Sequence, residues 1–305
     1  MTKELTVHFL RRYEIDTLRW DQCISESNNG LIYAHSFYLD HMAKQWDALV
    51  LGNYEAVMPL TWGKKWRIPY LYQPAFVQQL GIFSRKNLDE SFFTPFIEAT
   101  KNRFHFAEIF LNSQNPIEGT VKRSNYVLDL HRDYAQIRFG YKEDLIKNLK
   151  RLKKLNLRYA PSLDFTEAIR TFRQLYGSRI RHVTPKDYQH FNLLCQQALN
   201  QKMLQVRQVL SADHEILAWA LLFKDNRRLY NVMSSTSVRG RRSGANHFLF
   251  EQLIEEYAGT GILLDFEGSE ITGIAKFYQK FGAVNQPYYF LKYNNLSKPL
   301  KWLKK

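Results

Sequence analysis

The sequence has few cysteines and no pattern that predicts a metal site. Of 305 residues only two are cysteine, Cys23 and Cys195, and they lie far apart. A disulfide framework is therefore not expected, and no Cys/His spacing fits zinc. The nine histidines are scattered, without an HxH or HExxH pattern. We expect no bound metal, and no Cys–His or Ser–His pair indicates a covalent nucleophile.

Long hydrophobic runs are also missing. The longest, at 216–223, is too short to span a bilayer. The amino terminus, MTKELTVHFLRRYEID, carries a charge every few residues, so it does not resemble a signal peptide. We therefore expect a reduced, cytoplasmic protein without a transmembrane segment, for which peripheral contact with a membrane stays open.

Positive charge is abundant. Lysine and arginine number 43 against 29 acidic residues, which gives a net charge of +14. This excess favours polyanionic partners such as RNA, phosphorylated cofactors, anionic lipids or cell-wall precursors, although a basic surface can also serve solubility alone. Within 142–158, Leu145, Leu149 and Leu152 have the spacing of an amphipathic helix with a basic outer face. That face is either a binding surface or simply solvated.

Two hairpins divide the chain into similar halves. Gly52-Asn53 lies between two apolar runs, and Asp213-His214 lies between two others. Such turns between β-prone runs predict antiparallel strand pairs. Helix, strand and strand follow each hairpin, so the sequence predicts two copies of one α/β unit.

The segment RGRRSGAN precedes a predicted helix over 245–257. The unpaired N–H groups and the dipole at a helix start favour anions, and Gly244 lets the backbone approach a pyrophosphate closely. The segment therefore predicts a phosphate-binding loop, with a solvated basic loop as the alternative. The candidate ligand-binding residues of this loop are Arg239, Arg241, Arg242, Ser243, Gly244 and Ala245.

The stretch LLDFEGSEITGIAKFYQKFGAV places two carboxylates where a buried strand ends. Asp265 and Glu267 are two residues apart, so we expect them on the same side of the strand. Ligands of open α/β sheets gather at such strand ends, and one of two neighbouring carboxylates can accept a proton near neutral pH. Either residue can instead cap the next helix or pair with an arginine.

The helix predicted over 272–281 is rich in aromatic residues. Phe277 and Phe281 are expected in the core because the helix is apolar almost all round. Tyr278 differs, since a buried hydroxyl needs a partner. It either donates a proton to a leaving group or packs with its hydroxyl satisfied.

From Tyr141 to Asn294 the chain resembles the Gcn5-related N-acyltransferase (GNAT) superfamily, in its FemABX-like, two-domain form. RRSGAN is similar to the acyl-CoA motif Arg/Gln-x-x-Gly-x-Gly/Ala, with Arg241 and Gly244 in place and Asn246 in the last position. AKFYQKFGAV is similar to an Ala-x-x-Tyr-x-x-x-Gly segment of the family, and NLKRLKKLNLRYA to the basic helix that opens its second unit.

The resemblance implies two tandem GNAT-like domains, 1–138 and 139–305, each a mixed, mostly antiparallel sheet flanked by helices. It also implies acyl transfer to an amine by direct attack, without a covalent enzyme intermediate. The backbone at Met233 and Ser234 is then expected to meet the thioester carbonyl. Glu267 takes the proton of the amine and Tyr278 protonates the leaving group, while Asp265 remains a candidate for either a catalytic or a structural role.

Three functions follow as alternatives. The first is an N-acyltransferase that uses acyl-CoA, such as acetyl-CoA, and acts on an amine-bearing small molecule. The second is an aminoacyl-tRNA-dependent peptidyltransferase that acts on a cell-wall precursor, with tRNA as partner. The third is a non-enzymatic binder of anionic polymers, which predicts no turnover and tolerates Glu267→Gln.

Overall fold

The computed structural model describes residues 6–86, 90–180, 182–268, 270–297 and 301. The strands are β1 (Val7–Leu10), β2 (Gln45–Leu51), β3 (Ala56–Lys65), β4 (Ile68–Tyr72), β5 (Phe83–Ser84), β6 (Phe106–Leu111), β7 (Val121–Arg123), β8 (Tyr126–Asp129), β9 (Arg158–Ser162), β10 (Leu204–Leu210), β11 (Ile216–Lys224), β12 (Arg228–Thr236), β13 (Leu263–Asp265), β14 (Val284–Asn285) and β15 (Tyr288–Asn294). The α-helices are α1 (Thr17–Glu26), α2 (Ser36–Met42), α3 (Glu90–Arg103), α4 (Tyr134–Phe139), α5 (Glu143–Leu152), α6 (Phe165–Tyr176), α7 (Pro185–Asn200), α8 (Val238–Ser243), α9 (Ala245–Tyr257) and α10 (Thr272–Gln279).

The chain forms two compact units. Unit 1 consists of residues 1–123 and 287–305, and unit 2 of residues 124–286. The sheet of unit 1 has the order β1-β2-β3-β4-β6-β15-β7, with β5 paired to β3. The sheet of unit 2 has the order β9-β10-β11-β12-β13-β8-β14.

The two sheets share their strand order and orientations. In each, the main path is antiparallel except for one parallel pair, β4 with β6 in unit 1 and β12 with β13 in unit 2. The two predicted hairpins occupy equivalent places: β2 pairs with β3 in unit 1 and β10 with β11 in unit 2. The prediction of a mixed α/β fold with two similar, mostly antiparallel units is confirmed.

The unit boundaries differ from the predicted 1–138 and 139–305, because each sheet takes one strand from beyond the expected border. β8 pairs with β13 and therefore belongs to unit 2, although it precedes the predicted border. β15 pairs with β6 and β7 and returns the end of the chain to unit 1. Local patterns predict strands but not which distant strand each will pair with.

In unit 2, helices cover both faces of the sheet. β11 is buried over nearly its whole length, as expected for a central strand. Its alternate residues Ala218, Ala220 and Leu222 face the core formed with α5 and α9. On the other face Phe223 meets Phe191 of α7, with ring centroids 6.1 Å apart.

The amphipathic helix predicted within 142–158 is confirmed as α5. Leu145, Leu149 and Leu152 are buried against α9. Every lysine and arginine of the segment is exposed, so the basic residues form its outer face.

Both cysteines are buried, and they form no disulfide with each other. Within the described ranges, no helix combines the length and apolar character needed to cross a membrane.

Candidate active site

The parallel strands β12 and β13 separate soon after they meet. They pair at only three positions, Arg228 with Leu263, Leu229 with Leu264 and Tyr230 with Asp265. β13 ends at Asp265, whereas β12 continues to Thr236. Among the described residues, only β11 pairs with β12 over 231–236. We call this segment the open edge of β12, since no second described strand pairs with it.

A bulge lies at the start of the open edge. On β11, Leu221 and Phe223 are two residues apart, but their partners on β12, Met233 and Tyr230, are three apart. The extra residue disrupts the ladder locally and turns the strand, a device found often beside active sites. Met233 and Ser234 follow the bulge directly, so both of these predicted residues lie on the open edge.

The predicted phosphate loop is largely helical, which corrects the sequence interpretation. Residues 238–243 form α8, capped by Ser237, whose hydroxyl accepts a hydrogen bond from the N–H of Gly240 at 3.0 Å. A side chain at Gly240 would place its Cβ 2.2 Å from the carbonyl oxygen of Leu217, so only glycine lets α8 lie this close to β11. Sequence reasoning missed this residue because the approach depends on the tertiary fold.

The three arginines of this segment have different surroundings. Arg239 forms ion pairs with Asp213 and Glu215 beside the β10–β11 turn. The sequence predicted it as a phosphate ligand, but here its charge is already paired within the chain. Arg241 is exposed and donates to the carbonyl oxygen of Thr236 at 2.7 Å, at the end of the open edge. Arg242 is exposed and forms no ion pair with the described residues.

Gly244 separates the two helices in a left-handed conformation, with φ of 80°. α9 begins at the buried Ala245, as predicted, and no side chain caps its first turn. Ser243 donates to the carbonyl oxygen of Gly240 at 3.1 Å. Asn246, in the last position of the motif, accepts from the hydroxyl of Thr236 at 3.3 Å and so joins α9 to the open edge.

Asp265 has the contacts of a structural residue. Its side chain is 1% exposed and pairs with Arg228 at 2.5 Å. Its second oxygen accepts from the backbone N–H of Glu267 at 2.9 Å. Both oxygens are therefore occupied, which favours the structural alternative over a catalytic role. The sequence did not identify Arg228 as the partner.

Glu267 lies beyond the strand, so the predicted alternation does not extend to it. It is half-buried and has a φ of 61°, a left-handed conformation that costs a non-glycine residue about 1 kcal/mol or more. Strain of this kind clusters at functional sites. The hydrogen bond from its N–H to Asp265 holds the residue in this conformation.

Tyr278 of α10 lies near both carboxylates. Its ring stacks on Phe266 with centroids 4.5 Å apart. Burial raises the pKa of the Tyr278 hydroxyl, and the negative charges of Glu267 and then Asp265 raise this pKa further. The three predicted catalytic residues are thus brought together, and Tyr278 remains protonated at neutral pH.

The aromatic residues around Tyr278 form core, as predicted for Phe277 and Phe281. Phe250 and Phe266 complete the cluster. The prediction that this helix is buried almost all round is wrong, since only Tyr278 of α10 is buried and Ile274 is 39% exposed. Among the described side chains, no group of three or more His, Cys, Asp or Glu is placed to hold a metal ion.

Part of the chain matches a known protein family in sequence. Residues 142–276 match the sequence model of the acetyltransferase (GNAT) domain family. No curated protein matches the chain in sequence.

Solved structures match almost the whole chain. The crystal structure of FemX is similar with a TM-score of 0.66 at 12% identity, covering 97% of this chain and 99% of that chain. The C-terminal domain of a protein assigned as a lysylphosphatidylglycerol synthetase from Agrobacterium fabrum gives 0.56 at 13% identity, covering 94% and 95%. L-PGS from Bacillus licheniformis gives 0.54 at 12% identity, with the same coverage. The chain therefore has a fold of the GNAT and FemABX type, and the residues that match the acetyltransferase (GNAT) domain model lie in unit 2.

Proposed function

We propose that this protein is an N-acyltransferase that moves an acyl group from acyl-CoA to a primary amine by direct attack. The observation that carries the proposal is the open edge of β12, where strand partners separate beside Glu267 and Tyr278. An acyl donor in extended form can bond to such an edge as an additional strand does.

The chemistry needs one base and one acid. The amine nitrogen attacks the thioester carbonyl carbon, the carbon–sulfur bond breaks, and the amine loses a proton. Glu267 accepts that proton, and Tyr278, which its raised pKa keeps protonated at neutral pH, protonates the departing thiolate. Backbone N–H groups of the open edge around Met233 and Ser234 stabilise the oxyanion, next to a bulge that leaves residues 231 and 232 outside the regular ladder.

The phosphates of CoA are assigned to the α8–α9 junction. Arg242 and Arg241 supply exposed positive charge, and the uncapped start of α9 supplies N–H groups. Asn246 occupies the place of a small residue in the motif. We therefore expect a Kd for CoA in the micromolar to millimolar range.

Calorimetry with acetyl-CoA and CoA tests the donor site. Arg242→Gln should weaken CoA binding by about tenfold, the value of one charged hydrogen bond. Arg239→Gln is the matched control, because that side chain is engaged by Asp213 and Glu215 and should leave CoA affinity unchanged. Absence of heat at millimolar CoA would contradict acyl-CoA as donor.

Turnover of Glu267→Gln tests the base. The variant should lower kcat by about 10²–10⁴ with little change in CoA affinity, since general-base catalysis contributes that much. Equal loss of affinity and turnover would make Glu267 structural. Unchanged turnover would exclude it as the base.

A second candidate, an aminoacyl-tRNA-dependent transferase acting on a cell-wall precursor or lipid, is favoured by the outer face of α5. Lys147, Lys150 and Arg151 are exposed there while the leucines face inward. The similarity to FemX and to the lysylphosphatidylglycerol synthetase domain agrees with it. Salt-sensitive tRNA binding without CoA binding would favour this donor, and polymer binding with no turnover would favour a non-enzymatic binder.

A further inference from the structure

The turn between β3 and β4 projects from the sheet of unit 1. β2 pairs with β3 only as far as Trp62, and β6 pairs with β4 only at Leu71 and Tyr72. Among the described strands, residues 63–70 therefore pair only with each other, as a two-stranded ribbon that extends about 10 Å beyond its neighbours. We call residues 63–70 the basic hairpin and residues 64–67 its tip.

The two strands of the basic hairpin are held against each other by Tyr70. This residue lies opposite Gly63, and a Cβ at Gly63 would come within 3.1 Å of the Tyr70 hydroxyl oxygen. A ring that covers a glycine across an antiparallel pair helps to hold the register of that pair. The hairpin thus has a defined register although no third described strand supports it.

The tip has an unfavourable sequence for its conformation. Trp66 and Arg67 have positive φ values, 48° and 67°. Two-residue hairpin turns of this kind prefer Asn-Gly, because a left-handed conformation is unfavourable for residues with large side chains. The stability of the turn therefore does not explain the indole and the guanidinium at these positions. Strained residues of this kind point to a function of their side chains.

The tip combines exposed positive charge with an exposed indole ring. Lys64, Lys65 and Arg67 are exposed and form no ion pair with any residue that the structure describes. No acidic residue occurs in β3, β4 or the turn between them. Trp66 is 59% exposed, and the ammonium of Lys65 lies 4.7 Å from the centroid of its ring.

This combination fits the surface of an anionic membrane. Tryptophan is favoured at the level of the lipid headgroups, where its ring is in apolar surroundings and its N–H meets polar groups. Lysine and arginine beside it are attracted to anionic lipids. A nucleic acid fits less well, because Lys65 already covers one face of the Trp66 ring on which a base would stack.

We propose that the basic hairpin docks this protein on anionic lipid bilayers. Trp66 inserts between the headgroups, and the three cations of the tip contact the lipid phosphates. An aromatic anchor and a small basic patch are two weak signals, which together give reversible attachment. The attachment is independent of the proposed acyl transfer, whose residues all lie in unit 2.

Sedimentation of the full chain with lipid vesicles tests the proposal. The protein should bind vesicles that contain equal amounts of phosphatidylglycerol and phosphatidylcholine. It should bind vesicles of phosphatidylcholine alone much more weakly, and high salt should release it from the anionic vesicles. Equal binding to both kinds of vesicle, or binding to neither, would overturn the proposal.

A variant of the turn separates attachment from folding. Trp66→Asn combined with Arg67→Gly gives the turn its preferred residues, so Tm should not fall. Binding to the anionic vesicles should weaken about fiftyfold, from about tenfold for the apolar ring and about fivefold for one cation. Unchanged vesicle binding by this folded variant would exclude the tip as the anchor.

Exposed lysines of unit 2 supply a control of equal charge. Lys64→Gln combined with Lys65→Gln should weaken vesicle binding about twentyfold. Lys150→Gln combined with Lys154→Gln changes the net charge equally at exposed positions of unit 2 and should leave binding nearly unchanged. Equal effects of the two double variants would show attraction by net charge alone and overturn the proposal.

Fluorescence tests the insertion of the ring. Lipids brominated on their acyl chains should quench part of the tryptophan emission of the wild type, and Trp66→Phe should remove this quenching. Phe139→Ala, at a ring that is 94% exposed in unit 2, is the control and should change neither quenching nor binding. Quenching that persists in Trp66→Phe would overturn the insertion. Binding of tRNA but not of vesicles, weakened by Trp66→Phe, would assign the tip to nucleic acid instead.

Discussion

The two units use one strand order but treat the parallel pair differently. In unit 2, β12 continues past its partner β13 and leaves residues 231–236 open. In unit 1, β4 ends at Tyr72, where its pairing with β6 has only just begun. The following chain then covers β6: the side chain of Gln73 accepts the N–H of Phe110 at 3.0 Å, and Leu80 forms a parallel bridge with Leu111.

This difference shows how one topology serves two purposes. Backbone groups that unit 1 satisfies with its own chain are left on an open edge in unit 2, where an acyl donor can use them. The open edge of β12, and not the sheet order, is therefore what favours unit 2 as the place of the proposed acyl transfer. Three changes test this contrast between the open edge of unit 2 and the covered edge of unit 1, from the largest expected effect to the smallest.

Asp265→Asn should destabilise unit 2 strongly. It leaves the guanidinium of Arg228 buried without its counter-charge, which typically costs about 3–5 kcal/mol. A contrasting change in unit 1, Asp40→Asn, breaks an ion pair whose side chains are 40% and 35% exposed, so we expect a loss of about 0–1 kcal/mol. Chemical denaturation gives the free energy of unfolding of both variants. Equal decreases in this free energy would mean that the Arg228–Asp265 pair does not fix the end of β13.

Gln73→Ala should open the covered edge of unit 1. The N–H of Phe110 then loses its acceptor at a partly buried position, so we expect a cost of about 1 kcal/mol, the lower end of the range for buried donors. Amide hydrogen exchange at Phe110 should become faster, while exchange in β12 stays unchanged. Gln45→Ala, at an exposed position of β2, serves as control. Unaltered exchange at Phe110 would show that the covering depends on Leu80 and its bridge instead.

Acidification should weaken unit 2 slightly through His247, in the first turn of α9. Burial lowers the pKa of His247, and the positive charge of Lys280 lowers this pKa further. The unfolded chain therefore binds the proton more readily, so stability is lost as the pH falls below the ordinary value near 6.5. The free energy of unfolding of His247→Gln should fall less between pH 7 and pH 5 than that of the wild type. If the free energy of unfolding falls equally with pH in the variant and the wild type, the pH dependence belongs to other groups.

Much of the fold was predictable because local patterns are strong in this chain. The leucine spacing within 142–158, the bounds of α9 and both hairpins follow from periodicity and turn residues, and all appear in the structure. β7 and β8 follow one another closely along the chain and yet enter different sheets. Pairing between distant strands cannot be read from the local pattern of either one.

The candidate site, too, was predictable only in part. Motif spacing placed Gly244, Glu267 and Tyr278 in one region, and the structure brings Glu267 and Tyr278 together. Arg239 looked equivalent to Arg241 in sequence, but only the fold places Asp213 and Glu215 beside it.

By itself the sequence determined the amphipathic helices, the hairpins, the excess of positive charge and the residues from which a site can be built, because each depends on residue type and short-range spacing. The tertiary structure alone decided that β8 and β15 pair with strands distant in sequence and that Arg228 neutralises Asp265. It also decided that β12 extends beyond the end of its partner β13. These features depend on where the chain is brought back into contact with itself. Such contacts are set by the packing of the whole sheet and not by any one segment.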